Sequence, residues 1–155
     1  MNTTHIVSVT HPDEKAAIVE AVLAALPEWF GLPDSTREYI EASRSLPLWA
    51  AMQGDRPIGF ITRTQTSAHT AEVHCMGVRT KAHRRGIGRG LLSALENSCA
   101  ADGYHLLQVK TVDEGHYPEY DRTIAFYEAM GFVRLEVFPT LWDAWNPCLV
   151  LVKPL

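Results

Sequence analysis

Val78-Arg79-Thr80-Lys81-Ala82-His83-Arg84-Arg85-Gly86-Ile87-Gly88-Arg89-Gly90-Leu91-Leu92 decides the fold. Ahead of it, Ala71 to Val78 reads as a central strand. Behind it, Gly86 to Asp102 reads as a glycine-led helix with Leu91, Leu95 and Cys99 along one face. Five of the 14 basic residues, Arg79, Lys81, Arg84, Arg85 and Arg89, fall in the turn between them, and no acid does. Glycines let successive N–H groups point at one spot. The helix N-terminus adds partial positive charge, and the arginines add full charges with forked donors. Together these make a pyrophosphate cradle built from backbone. A Walker loop would need Lys-Ser or Lys-Thr after the glycines, and none follows. A dinucleotide fingerprint fails too, because Leu91 stands at its third small position.

The rest of the chain frames that turn. The 155 residues carry a formal charge of −4, but outside Arg79–Arg89 there are 9 bases against 18 acids. An acidic chain with one basic turn implies a local anion site, not a nucleic-acid face. Composition is 46% hydrophobic and 21% charged, which excludes wholesale disorder and fits one domain over residues 1–155. No apolar run reaches the roughly 20 residues of a membrane span. Met1 to Thr10 is polar and mixed, without the pattern of a secretory signal. Cys75, Cys99 and Cys148 are odd in number and widely spaced, so no disulfide framework is expected and a cytoplasmic location follows.

Reading outward, His5 to Val9 is a short strand and Asp13 to Leu26 a helix ended by Pro27. Trp29 to Pro33 is an aromatic loop, and Asp34 or Ser35 caps a second helix to about Ser45. Leu48 to Gln53 and Ile58 to Gln65 form a hairpin whose turn is not a simple two-residue one. After the central strand and helix come a strand from Tyr104 to Val112, an acidic loop from Asp113 to Asp121 and a helix from Arg122 to Met130. Two strands, Phe132 to Phe138 and Cys148 to Lys153, finish the chain. The order β-α-α-β-β-β-α-β-α-β-β is that of an α+β domain.

Strand, basic loop and glycine turn resemble the coenzyme A site of the GNAT family of N-acetyltransferases. That family's motif is Gln/Arg-x-x-Gly-x-Gly/Ala after a strand ending in Val. Gly86 and Gly88 fill its small positions, while His83 stands where Gln or Arg is usual. Ala71-Glu72-Val73-His74-Cys75-Met76-Gly77-Val78 is similar to the fourth strand of the histone-acetyltransferase branch. Thr123 to Phe132 resembles the C-terminal helix, with Tyr127, Gly131 and Phe132 in place and Tyr120 at its Asn position. The resemblance implies a mixed, mostly antiparallel sheet of about seven strands with about four helices, splayed near the fourth and fifth strands. It implies acetyl-CoA as donor, with Arg84, Arg85, Gly86, Ile87, Gly88, Arg89 and Gly90 around the pyrophosphate. It places the acyl group beside Met76, Gly77 and Val78, where a main-chain N–H would take the carbonyl oxygen.

Acetyl transfer to an amine needs a neutral nucleophile, a polarised carbonyl and a proton for the departing thiolate. Plain strand alternation puts Glu72, His74, Met76 and Val78 on one face, pointing along the groove, and turns Cys75 to the opposite, packed side. Glu72 is the candidate base, with His74 or a water path as alternatives. Tyr127 is the candidate general acid, its ring packed and its hydroxyl open to the cleft. Trp29, Phe30, Tyr39 and Trp142, with Trp145, are interleaved with Glu28, Asp34, Glu38 and Asp143, which suits a cationic amine. The expected acceptor is therefore a small-molecule or peptide amine. No nucleic acid, membrane or metal is expected, since His69, His74, Cys75 and His83 lack paired zinc spacing. Oligomeric state stays open, a homodimer included. A coenzyme A-responsive domain that no longer catalyses, or an interaction protein using the aromatic loop, are the competing classes. Retention of Glu72 and Tyr127 favours the enzyme.

Overall fold

The computed structural model describes residues 3–155, so Met1 and Asn2, the start of the polar N-terminal stretch, lie outside the described residues. The elements run β1 (Thr4–Val9), α1 (Pro12–Ala24), α2 (Pro33–Ser43), β2 (Leu48–Gln53), β3 (Arg56–Gln65), β4 (Thr70–Val78), α3 (Ile87–Ala101), β5 (Leu106–Val112), α4 (Pro118–Ala129), β6 (Val133–Asp143) and β7 (Asn146–Pro154). The strands form one sheet in the order β1-β2-β3-β4-β5-β7-β6. Every neighbouring pair is antiparallel except β4–β5, which is parallel. This is the expected α+β architecture.

Apolar periodicity explains the layers. On one face Leu91, Leu92 and Leu95 of α3 and Ile124 of α4 pack against Ile61, Val73, Leu107 and Leu149. On the other, Val19, Val22 and Leu23 of α1 pack against Ala50 and Phe60. Each Leu, Ile, Val or Phe buried in this way stabilises the fold by about 1.5–3 kcal/mol.

Several boundaries differ from the sequence reading for identifiable reasons. Three helices start at a proline, Pro12, Pro33 and Pro118, whose missing N–H costs nothing in the first turn. So α4 begins at Pro118 rather than Arg122, taking up half of the expected acidic loop. Likewise α2 begins at Pro33, after Leu32 and without a side-chain cap, and ends at Ser43. The β2–β3 turn is the two residues Gly54 and Asp55, since Gln53 pairs with Arg56. The β6–β7 ladder is interrupted between Phe138, paired with Cys148, and Asp143, paired with Asn146.

One irregularity sets up the site. The β3–β4 ladder slips between Thr62, paired with Cys75, and Arg63, paired with Val73, so His74 is an extra residue in β4. A bulge of this kind bends its strand and re-aims the side chains beyond it. Ala71, Val73 and Val78 join the α3 side of the core, and Met76 packs against the same cluster. Cys75 joins the α1 side. A Cβ at Gly77 would meet Val22 of α1 and Leu26 just beyond its end. Unbroken alternation is therefore wrong here. Met76 and Val78 lie on the face opposite Glu72 and His74, while Cys75 shares the face of Glu72. Beyond the bulge the strands part. β4 pairs with β5 only over Thr70–Val73 and Leu106–Val109, whereas β5 stays on β7 along its whole length. The remainder of β4, to Val78, lines one wall of the resulting opening.

Candidate functional site

The basic turn stands at the end of that wall. Arg79 is tied down structurally, with its N–H donating to Ile58 O at 2.9 Å and its Nε to Pro57 O at 2.8 Å. After a single 3₁₀ turn, His83 Nε2 lies 2.7 Å from Val78 O. A carbonyl only accepts, so Nε2 carries the proton. The backbone then takes left-handed conformations at Arg84 (φ +67°) and Gly86 (φ +78°) before α3 begins. Helix geometry leaves the first amides of α3 without intrahelical partners. The first to close a turn is Gly90 N–H, on Gly86 O at 3.0 Å. The six consecutive N–H groups from Arg84 to Arg89 thus have no partner among the described residues. Lys81, Arg84, Arg85 and Arg89 are exposed and pair with no acid. Gly88 lets α4 come close, since a Cβ there would lie 3.2 Å from the Phe126 ring and 3.9 Å from Met76 Cε. Ile87 is buried in the core and anchors the turn. Gly90 has spent its N–H and rests near Ile6.

Glu72 lies just before the strands part and is only 8% exposed. Gln108 Nε2 donates to its Oε1 at 2.9 Å, and Lys110 Nζ stands 3.3 Å from the same oxygen. His74, on the same side, meets the edge of the Tyr39 ring at a centroid distance of 5.5 Å. Burial lowers the His74 pKa; Glu72 partly offsets this and Lys110 adds to it, which favours the neutral imidazole. Burial also pushes the Tyr39 hydroxyl up to about 12.

Tyr127 is buried, its ring between those of Phe126 and Phe132 at centroid distances of 5.3 Å. Its hydroxyl has no hydrogen-bond partner among the described residues. Yet no fully buried side-chain polar atom is left without one, so the hydroxyl opens onto accessible space. Burial, reinforced by Cys75, raises its pKa far above the ordinary phenol value. Cys75 itself is buried and held firmly as the thiol by desolvation, so it is no ready nucleophile.

The aromatic loop is braced across the opening. Tyr120 Oη donates to Trp29 O at 2.7 Å and Trp29 Nε1 to Glu119 O at 3.3 Å, linking the α1–α2 loop to the start of α4. The Trp29 ring stands edge-on to His83 at 5.8 Å, and Phe30 edge-on to Tyr39 at 5.9 Å. Trp29, Phe30, Tyr39 and His74 are thereby brought together. Trp142 is not: it is exposed on the β6–β7 hairpin, with Leu141 and Trp145, and makes no ring contact with the cluster. Sequence reading missed Gln108 and Lys110. The available signal was a polar residue at alternate positions of an interior strand, between buried Leu107, Val109 and Thr111.

Residues 44–134 match the family described as acetyltransferase (GNAT) domain. No curated protein matches the sequence significantly. Solved structures share the fold. A protein from Desulfovibrio desulfuricans described as a GNAT-family acetyltransferase superposes with a TM-score of 0.82 at 20% identity, over 98% of this chain and 99% of that one. An aminoglycoside 6'-N-acetyltransferase complexed with coenzyme A gives 0.74 at 20% identity, over 97% and 96%. A ribosomal-protein alanine N-acetyltransferase from Escherichia coli gives 0.72 at 20% identity, over 98% and 94%.

Proposed function

The chain is a member of the GNAT acetyltransferase family, and from that premise we propose that it carries an acetyl group from acetyl-CoA to a primary amine by direct attack in a ternary complex. The supporting observation is the run of six partnerless amides, Arg84 to Arg89, at the end of the β4–β5 opening. The run offers donors only and is flanked by exposed cations without acids, a chemistry that fits a pyrophosphate. When bound, acetyl-CoA supplies the activated acyl thioester.

In this reading Glu72 takes a proton from the acceptor, directly or through water, with His74 as the alternative. Main-chain N–H groups of β4 near Met76, Gly77 and Val78, past its last rung with β5, hold the acyl oxygen. Tyr127 donates a hydrogen bond to the sulfur. Its pKa lies so far above the thiol reference of about 8.5 that full proton loss is uphill, so its hydroxyl stabilises the developing thiolate and solvent completes the protonation. Trp29, Phe30 and Tyr39, beside the exposed Glu28, Asp34 and Glu38, receive the amine. Solved relatives include an aminoglycoside N-acetyltransferase and a ribosomal-protein alanine N-acetyltransferase, so the acceptor screen covers small polyamines and peptide N-termini. Three free thiols, Cys75, Cys99 and Cys148, suit a reducing cytoplasm.

Melting the protein with increasing acetyl-CoA tests the donor, because a ligand that binds only the folded chain raises its stability. A rising Tm, and thiol release with at least one amine of the screen, are expected. An unmoved Tm at saturating acetyl-CoA contradicts the reading.

A further inference from the structure

We propose that Lys110, together with Gln108, is a positioning residue that presents Glu72 to the acceptor through one oxygen; this rests on Glu72 being the base. Glu72 and Gln108 are register neighbours in the parallel pair, so their side chains share a face. Lys110 stands two residues further along β5, past the last paired rung, Val73 with Val109, at the lip of the opening. Both donors converge on Oε1, at 2.9 and 3.3 Å.

A carboxylate this buried needs partners. Oε1 takes both contacts, while Oε2 has no hydrogen-bond partner among the described residues and, since none of their fully buried polar atoms is left without one, reaches accessible space. Among the described residues Lys110 has no other acid within ion-pair distance, and 35% of its side chain is exposed. It thus faces Glu72 while staying partly exposed at the lip of the opening.

The charge arrangement has a chemical consequence. The groups facing Glu72 are Lys110 from β5, His74 from β4, Tyr39 from α2 and Cys148 from β7. Burial keeps His74 neutral, Tyr39 protonated and the Cys148 thiol pushed up to about 11. Lys110 is therefore the one cation in the group. It orients the Glu72 carboxylate by a charge 3.3 Å from Oε1. It also disfavours a second cation at Oε2, which favours the acceptor as its neutral, nucleophilic amine.

The test compares wild type with Lys110→Met, Lys110→Arg and Gln108→Leu. The side-chain carboxyl ¹³C resonance of glutamate-labelled protein at fixed pH reads the surroundings of Glu72 directly, with Glu72→Gln identifying it. Lys110→Met should move that resonance, while Lys110→Arg leaves it in place. With tobramycin and an alanyl peptide as probe amines, Lys110→Met should lower kcat about tenfold at unchanged KM for acetyl-CoA, with Lys110→Arg restoring it. Melting curves confirm that each variant folds, and if Lys110→Met does not, Gln108→Leu against Lys110→Arg carries the comparison. An unmoved Glu72 resonance in Lys110→Met overturns the proposal even if neither probe amine is turned over. An active Glu72→Gln instead overturns the base assignment. An inactive Glu72→Gln beside a Lys110→Met with wild-type resonance and rate overturns the role of Lys110 alone.

Discussion

Across the β4–β5 opening, the six amides from Arg84 to Arg89 are one continuous piece of chain, whereas the groups opposite come from five separate segments. Trp29 belongs to the α1–α2 loop, Tyr39 to α2, His74 to β4, Lys110 to β5 and Tyr120 to α4. The half proposed for the donor is made of backbone, and its geometry is fixed locally by two left-handed residues and a helix start. The half proposed for the acceptor is made of side chains held by contacts such as Tyr120 with Trp29, 91 residues apart. A backbone cradle tolerates changes of side chain and suits a donor that stays constant. An assembly of side chains changes with each substitution and suits an acceptor that can vary. Variants in the two halves should therefore separate, each disturbing one substrate.

The largest effect is expected at the meeting point. Glu72→Gln should lower kcat by about 10²-fold or more, most severely at low pH where neutral amine is scarce, with acetyl-CoA affinity unchanged. Loss of acetyl-CoA binding in this variant would break the division between halves. Next, Gly86→Ala places a Cβ in open space but in a left-handed conformation, so the strain is in the backbone, about 1–2 kcal/mol. Calorimetry should find coenzyme A affinity down about tenfold with acceptor KM unchanged.

Smaller effects belong to the acceptor side. Tyr120→Phe removes the hydrogen bond to Trp29 O, with a stability loss of about 1 kcal/mol. Steady-state kinetics should show a raised acceptor KM and an unaltered KM for acetyl-CoA; the reverse pattern would place the brace in the donor half. The subtlest concerns pH. Burial sets the His74 pKa below its unfolded value, so the unfolded chain binds the proton first on acidification. The stability tied to a neutral His74 is complete above about pH 6.5 and is lost as pH falls through the lowered folded value. His74→Gln should flatten the fall of Tm between about pH 7 and about pH 5, and an identical slope would contradict the assignment.

The proposed donor half could be drawn from the sequence because its candidate residues are contiguous. Gly86, Gly88 and the arginines carry their meaning in spacing alone, and the order of elements followed from apolar periods. The acceptor half was legible only as residue types. Trp29, Phe30 and Tyr39 did converge, because loop and helix flank one another, but Trp142 stayed apart on its hairpin. The bulge at His74 was invisible, since β4 reads as an unbroken strand and a slip of one residue leaves no mark in composition. That slip turned Met76 and Val78 away from Glu72 and brought Cys75 to its side. Lys110 escaped notice because its place beside Glu72 comes from the pairing of β5 with β4, one residue past their last shared rung. Proline misled in a simpler way, marking helix starts at Pro33 and Pro118 where loops were expected.

The most direct test of the cradle is an amide-resolved NMR titration of the folded chain with coenzyme A. The backbone account predicts that the largest shifts fall on the consecutive amides Arg84 to Arg89, followed by those of β4 from Met76 to Val78, with the amides of β6 unmoved. Saturable binding whose shifts cluster elsewhere, or no binding at all, would contradict it.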